Sequence, residues 1–170
     1  RQVGKLTGFE HAMKSGAGYA EIILPDGLAV GTYMAVNACG EIYDQDKILA
    51  GALADDDRTI ISSHRLMLEG YERNMGGNTS IGCIITNADL TKTECRMVST
   101  MAHDGLARSI RPVHTSMDGD TLFTMASGEV KTTIDTVGYL AEEAVRLAVL
   151  DAAASAEGMG GRPAYRDIIK

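Results

Sequence analysis

Gly76-Gly77-Asn78-Thr79-Ser80-Ile81-Gly82-Cys83-Ile84-Ile85-Thr86 is the stretch that decides the fold. A Gly-Gly pair marks a turn. Ile81, Ile84 and Ile85 with Thr86 mark a mostly buried strand, since β-branched apolar side chains suit a covered, pleated surface. Thr79 therefore stands at the mouth of a strand, just after a flexible connection. Downstream, Pro112-Val113-His114-Thr115-Ser116-Met117-Asp118-Gly119-Asp120 sets two carboxylates on either side of a glycine in a second tight turn. A hydroxyl at a strand start and two carboxylates on a turn are parts from which one catalytic site can be built. Residue type alone leaves a blander reading open. Threonine is an ordinary strand former, and Asp-Gly-Asp is an ordinary turn.

The chain on either side alternates strands and helices. Gly16 to Leu24 and Leu28 to Ala38 read as two strands joined by a Pro25-Asp26-Gly27 hairpin turn. The second is apolar on both faces, as expected of a central strand covered on both sides, and Asn37 ends it. Ile48 to Gly77 reads as a long, acidic, mobile connection, with a helix from near Ser62 to Gly70. Its Asp55-Asp56-Asp57 run is a solvated face, because no calcium-loop spacing follows. Thr91 and Glu94 form a capping box for a helix. Leu90, Cys95, Val98, Met101, Leu106 and Ile110 are its apolar stripe, and Pro112 stops it. His103 on this helix is a packing or hydrogen-bonding residue, and His114 lies near the aspartate turn, where it could line the pocket. Asp120 to Ala126 is a further strand, ended by Gly128. Thr133 to Ala154 is a long helix, and Gly158 to Gly161 links it to a tail around Tyr165. Such an order points to a layered α/β sandwich.

Composition narrows the function classes. The 170 residues suit one domain, and 45% hydrophobic residues are enough for a real core. A net charge of −7 without a basic cluster argues against a nucleic-acid partner. No apolar run approaches the roughly 20 residues of a membrane span, so no membrane partner is expected. Cys39, Cys83 and Cys95 cannot form a closed disulfide set, and no Cys-x-x-Cys or His-x3-His pair suggests a metal. Neither metal nor cofactor is expected, and a reducing cytoplasm is the simplest compartment. Asn78-Thr79-Ser80 also fits a glycosylation sequon, but nothing else points to secretion.

Three pieces taken together add a resemblance. Asn78-Thr79-Ser80-Ile81-Gly82, Met101-Ala102-His103-Asp104-Gly105-Leu106-Ala107-Arg108 and Ile110-Arg111-Pro112-Val113-His114-Thr115 through Asp118-Gly119-Asp120-Thr121 resemble the β-aminopeptidase family. This is also called the L-aminopeptidase/D-esterase family, and it includes the nylon-oligomer (6-aminohexanoate-oligomer) hydrolases. The likeness runs in order from Val3-Gly4-Lys5 to Pro163-Ala164-Tyr165-Arg166.

The resemblance implies an αββα four-layer sandwich of the N-terminal-nucleophile hydrolase type, and an amide hydrolase that cuts itself once, between Asn78 and Thr79. Residues 1–78 would then end a larger subunit and residues 79–170 would form a smaller one. The chain opens in mid-motif, so the resemblance also implies a large upstream segment that is absent here. Thr79 would be the nucleophile, with its own freed α-amine as base. Lys5 would stabilise negative charge or orient Asn37, whose amide would serve as oxyanion donor or positioner. One of Asp118 and Asp120 would hold the α-amine and the other the hydroxyl. Threonine with two aspartates looks most like the nylon-oligomer branch. Implied substrates are β- or D-aminoacyl peptides, amino-acid amides or ω-amino-acid oligomers, and the implied assembly is an oligomer of cleaved heterodimers. Two alternatives stand beside this reading: an acyltransferase like the ornithine acetyltransferases, which use a similar threonine, and a non-catalytic assembly protein.

Overall fold

The computed structural model describes residues 1–56, 58–71 and 77–169; Asp57 and Gly76, both named above, lie outside them. In chain order the elements are β1 (Gln2–Val3), β2 (Met13–Lys14), β3 (Ala17–Ile23), β4 (Ala29–Ala35), β5 (Glu41–Asp44), β6 (Lys47–Ala50), β7 (Ala52–Leu53), β8 (Ile60–Ile61) and α1 (Ser63–Leu68). They continue with β9 (Ile81–Ala88), α2 (Lys92–Ser109), β10 (Ile110–Arg111), β11 (Thr121–Val130), α3 (Ile134–Ala154) and α4 (Tyr165–Ile168).

The main sheet has the order β11-β9-β4-β3. β3 and β4 form the antiparallel hairpin expected of Pro25-Asp26-Gly27, and β4 runs antiparallel to β9. β9 and β11 are parallel, with Thr121 opposite Ile81, because α2 carries the chain back across the sheet. α2 and α3 pack on one face of this sheet, α2 chiefly against β11 and α3 against β3 and β4. The two helices meet closely at Gly105, where a Cβ would fall 2.3 Å from the Glu142 carbonyl oxygen of α3. Thr91 and Glu94 form the capping box of α2, and Thr133 caps α3. The core gathers Val30, Met34 and Ile84 from the sheet with Val98, Leu106, Val137, Val145 and Val149 from the helices. Ile84 is fully buried; truncating such a residue to alanine typically costs about 2–5 kcal/mol. A three-stranded sheet, β10-β5-β6, touches both helices.

Several expectations are corrected. The β9 stretch is not buried on both faces: burial alternates along it, with Ile84 fully covered and Ile81 and Ile85 about half exposed. β4 alternates likewise, with Met34 buried and Tyr33 exposed. Tyr19, Tyr33, Ile85, Phe123 and Met125 together make an apolar outer sheet face that no described element covers. Ile48 to Gly77 is not one long mobile connection. Its hydrophobic residues are too few for a periodic signal, yet Leu49, Ala50, Ala52 and Leu53 are buried in short strands. Ser62 does cap a helix, α1, which ends before Gly70 at φ +83°. α2 stops at Ser109, three residues before Pro112, because the chain turns into β10 to pair with β5. β11 does not end at Gly128. The register shifts there, the glycine takes a left-handed φ of +83°, and the strand resumes to Val130.

Candidate active site

Four segments converge at one end of the main sheet. The parallel strands β9 and β11 both begin there, which brings Asn78 opposite Asp118 in a parallel bridge. The antiparallel β4 ends there and delivers Asn37. The segment after β1 delivers Lys5, whose backbone N–H donates to the Cys39 carbonyl at 2.8 Å. All five residues singled out in the sequence, Lys5, Asn37, Thr79, Asp118 and Asp120, thus lie in one neighbourhood.

Its centre is the Asn37 carbonyl oxygen. It accepts the Thr79 backbone N–H at 3.1 Å and the Lys5 ammonium at 3.2 Å. The Asn37 side-chain oxygen accepts the Gln2 N–H at 3.2 Å, and the Asn37 N–H donates to Ser80 Oγ at 3.3 Å. The Thr79 hydroxyl donates to the Asn78 carbonyl oxygen at 2.5 Å, and the Gly119 N–H donates to that same oxygen at 2.9 Å. Asn78 and Ser80 are buried while Thr79 between them is exposed. The hydroxyl is therefore open to incoming molecules while the peptide bond that carries it is clamped on both sides.

The two aspartates differ in surroundings. Asp118 Oδ2 accepts both the N–H and the hydroxyl of Thr115, at 3.1 and 2.6 Å. Asp120 Oδ1 accepts the Ser80 N–H at 2.7 Å, and its side chain is only 2% exposed. Asp120 therefore turns inward from the Asp-Gly-Asp turn, where it satisfies the buried Ser80 amide. Asp118 Oδ1 and Asp120 Oδ2 are buried and receive no hydrogen bond, so each keeps an oxygen for a further donor.

Burial sets the electrostatics. It lowers Lys5, 1% exposed, to about 8, against the pull of Cys39, Asp118 and Asp120. Burial also raises Asp120, with Asp118 adding to the rise and the Ser80 N–H opposing it. The Cys39 thiol is pushed up to about 11 by burial and Asp118, so it stays protonated and is no competing nucleophile. One buried cation thus faces two carboxylates in a low-dielectric pocket, the environment in which charges act most strongly on a reacting group.

Sequence reading passed over Ser80 and Gly119 as participants. Ser80 uses its N–H, its Oγ and its carbonyl to tie Asp120, Asn37 and Thr121 together. Gly119 contributes only a backbone N–H, which no side-chain pattern reveals. The Thr115–Asp118 spacing was readable, since a Ser/Thr/Asp turn bond at i, i+3 is a local motif.

Comparison with known proteins places the chain in a family. A model of peptidase family S58 matches residues 3–166. An uncharacterised aminopeptidase of Mycobacterium tuberculosis is 34% identical over 92% of this chain and 53% of its own length. One of Mycobacterium leprae is 34% identical over 90% of this chain and 48% of its own length. The chain therefore spans about half the length of these curated relatives. A 6-aminohexanoate-oligomer endohydrolase of Paenarthrobacter ureafaciens is 41% identical over 54 residues, 32% of this chain and 15% of its own length. Among solved structures, the L-aminopeptidase D-Ala-esterase/amidase of Ochrobactrum anthropi, described as a variant of the Ntn-hydrolase fold, superposes with a TM-score of 0.60. It is 18% identical and covers 96% of this chain and 47% of that one. A Burkholderia β-aminopeptidase superposes at 0.57 and 18% identity, covering 95% of this chain and 49% of that one.

Proposed function

Because the chain belongs to peptidase family S58 and superposes on a variant of the Ntn-hydrolase fold, we propose that it is the catalytic part of a self-processing amide hydrolase with Thr79 as nucleophile. The single observation that carries this reading is the clamped Asn78 carbonyl, which accepts the Gly119 N–H while the Thr79 hydroxyl lies against the same oxygen. A carbonyl polarised by a fixed N–H beside a hydroxyl one residue away is poised for intramolecular attack, where effective concentration is high.

In the first reaction Thr79 Oγ adds to the Asn78 carbonyl carbon, the C–N bond breaks, and the proton passes from the hydroxyl to the departing Thr79 nitrogen. Water then hydrolyses the resulting ester, leaving an Asn78 carboxylate and a free Thr79 α-amine. Cleavage yields a chain of 92 residues, 79 to 170, with residues 1–78 ending the other subunit. In the second reaction the α-amine takes the hydroxyl proton and Oγ attacks the substrate amide carbonyl. The substrate C–N bond breaks as that proton passes to the departing amine, and water then hydrolyses the acyl ester to restore the Thr79 hydroxyl. The Thr79 nitrogen already sits on the Asn37 carbonyl beside Lys5. A lysine cation there disfavours protonation of the amine and keeps it a base. Asp118 Oδ1 is free to hold one of the amine and the hydroxyl, and Asp120 Oδ2, which has two lone pairs, can hold the other even with a second donor beside it.

Peptide-like amides are the substrate class, with amino-terminal β-, D- or L-residues and ω-amino-acid oligomers the first to test. The active species is an oligomer of cleaved heterodimers, which sedimentation checks; a monomer at micromolar concentration would remove that part. Mass spectrometry and amino-terminal sequencing of the full-length protein test the core of the reading. The wild type yields a chain starting Thr-Ser-Ile-Gly, and Thr79→Ala stays whole and inactive on aminoacyl p-nitroanilides and 6-aminohexanoate oligomers. An uncut Thr79→Ala protein that still hydrolyses amides sinks it. Acyl transfer to ornithine, assayed alongside, separates hydrolase from acyltransferase.

A further inference from the structure

Resting on the reading of Thr79 as nucleophile, we propose that His114 is the positioning residue of Asp120: it holds the second oxygen of the carboxylate whose first oxygen is held by Ser80, and His103 on α2 backs its ring.

The carboxylate itself poses the question. Asp120 is buried, one oxygen is fixed by the Ser80 N–H at 2.7 Å, and Oδ2 receives no hydrogen bond. A buried carboxylate oxygen without a donor is costly and calls for a partner. His114 Nδ1 lies 3.5 Å from it. A closure of about 0.6 Å brings the pair to the length of a charge-assisted bond.

The backbone supports the same assignment. His114 has a left-handed φ of +54°, shared among the described non-glycine residues only with Gln45. Side chains rarely adopt that conformation, and such outliers gather where a group must be aimed. His103 supplies the third observation: its ring centroid lies 5.0 Å from that of His114, tilted by 55°. Burial, and after it the proximity of His114, lowers the His103 pKa. A neutral His103 braces the His114 ring without placing a cation beside it.

The charged and titratable groups that act on Asp120 can be named element by element. Asp118 on the same turn drives a proton onto it, while His114 in the preceding loop and His103 on α2 draw one off. Lys5, from the segment after β1, interacts with Asp120 across the pocket, and Asp104 lies beside His103. Burial already raises Asp120. Loss of His114 raises it further, so the carboxylate is protonated at a higher pH and self-cleavage loses its acid side sooner. The His114 side chain is 39% exposed, so removing it opens no core cavity.

The test uses the full-length protein made by cell-free translation, with appearance of the Thr79 chain followed by mass spectrometry between pH 5 and 9. The cleavage substrate is the chain itself, so no choice of ligand enters. Glycine and asparagine both accept the left-handed backbone, but only asparagine returns an N–H donor near the position of Nδ1. His114→Gly is expected to slow cleavage by about 10- to 100-fold and to move the acid limb to higher pH. His114→Asn is expected to keep the rate within about threefold of wild type, the retained N–H standing in for the imidazole. A His114→Gly protein with the wild-type rate and acid limb overturns the proposal. So does equal loss in both variants, which marks a merely structural ring. If His114→Gly matches wild type while Thr79→Ala stays whole, only this inference falls. If the wild type itself never yields the Thr79 chain, the nucleophile reading falls with it.

Discussion

Gly119→Ala tests the site at the point where stability and chemistry separate most cleanly. A Cβ at residue 119 would lie 2.8 Å from Thr79 Oγ and no nearer than 3.8 Å to any other atom outside its chain neighbours. Ordinary contact begins near 3.4 Å, so the hydroxyl must retreat by about 0.6 Å, turning Thr79 away from its place. The retreat is cheap for the fold. Gly119 is exposed and its φ is not left-handed, so the expected stability change is within about 0.5 kcal/mol. The same retreat is expensive for the reaction, because a misplacement of about 1 Å costs roughly 100-fold in rate. A 10- to 100-fold loss, about 1.4–2.7 kcal/mol of activation free energy, is expected in both self-cleavage and turnover. The Gly119 N–H survives the substitution, so the loss reports displacement of the hydroxyl and not loss of the carbonyl clamp. Thermal unfolding and the time course of chain cleavage, measured on one preparation, suffice. Cleavage and turnover within twofold of wild type, at an unchanged Tm, would refute the argument that this hydroxyl is the attacking group.

Asp118→Asn and Asp120→Asn are expected to keep the fold and lower turnover about 100- to 10,000-fold; near-normal turnover removes that residue from the site. Burial raises Asp120, so the folded state holds its proton to higher pH and stability falls as pH climbs through that window. Asp120→Asn, which can still accept the Ser80 N–H, should therefore unfold no earlier than wild type at pH 8, and a clear drop in Tm there contradicts the account. Glu41 is fully buried, accepts the Ser63 N–H at 2.9 Å, and is raised by burial from 4.5 to about 7. Its folded form is the more protonated one between those values, so stability falls as pH rises from about 4.5 to 7 and the cost is full above 7. Glu41→Gln should raise Tm at pH 8, with a ceiling of roughly 3 kcal/mol, and flatten that slope; an unchanged slope counts against it. Lys5, lowered to about 8, loses its charge as pH climbs through that value. Turnover should fall there, and Lys5→Arg, which stays charged, should move the limb upward; identical limbs in both proteins rule Lys5 out as its source.

Local chemistry was the legible part of the sequence. The Thr91–Glu94 capping box, the Pro25-Asp26-Gly27 turn, the Thr133 helix start and the Ser62 cap all rest on bonds between near neighbours, and each stands where its residues place it. Burial was less legible, because apolar residues on both faces of β4 and β9 look the same whether one face or two are covered. Tyr33 and Ile85 are exposed here because the described elements cover only the α2–α3 side. The buried strands between Leu49 and Leu53 were missed for the opposite reason: pairings of two to four residues leave no periodic trace. At the site, side-chain chemistry was readable and backbone chemistry was not. Lys5, Asn37, Thr79, Asp118 and Asp120 are recognisable residue types, whereas the meeting point is the Asn37 carbonyl and the clamp is the Gly119 N–H.

That backbone share of the site explains how one scaffold could serve two reactions. Before cleavage the Thr79 nitrogen is an amide whose hydrogen goes to the Asn37 carbonyl at 3.1 Å. After cleavage, on the reading proposed here, the same nitrogen is an amine, and it still has hydrogen to give that oxygen. The base therefore forms where it will be used, without a search for position, and the Lys5 ammonium already shares the acceptor at 3.2 Å. The Gly119 N–H behaves likewise: it holds the Asn78 carbonyl now and, on the same proposed reading, would face the place of the substrate carbonyl once Asn78 had departed. A site assembled from side chains alone would have to repack when the chain parts at residue 79. One assembled on β4, β9 and β11 backbone need not, because the ladders between those strands start beyond the cut, at Ile81, and remain intact.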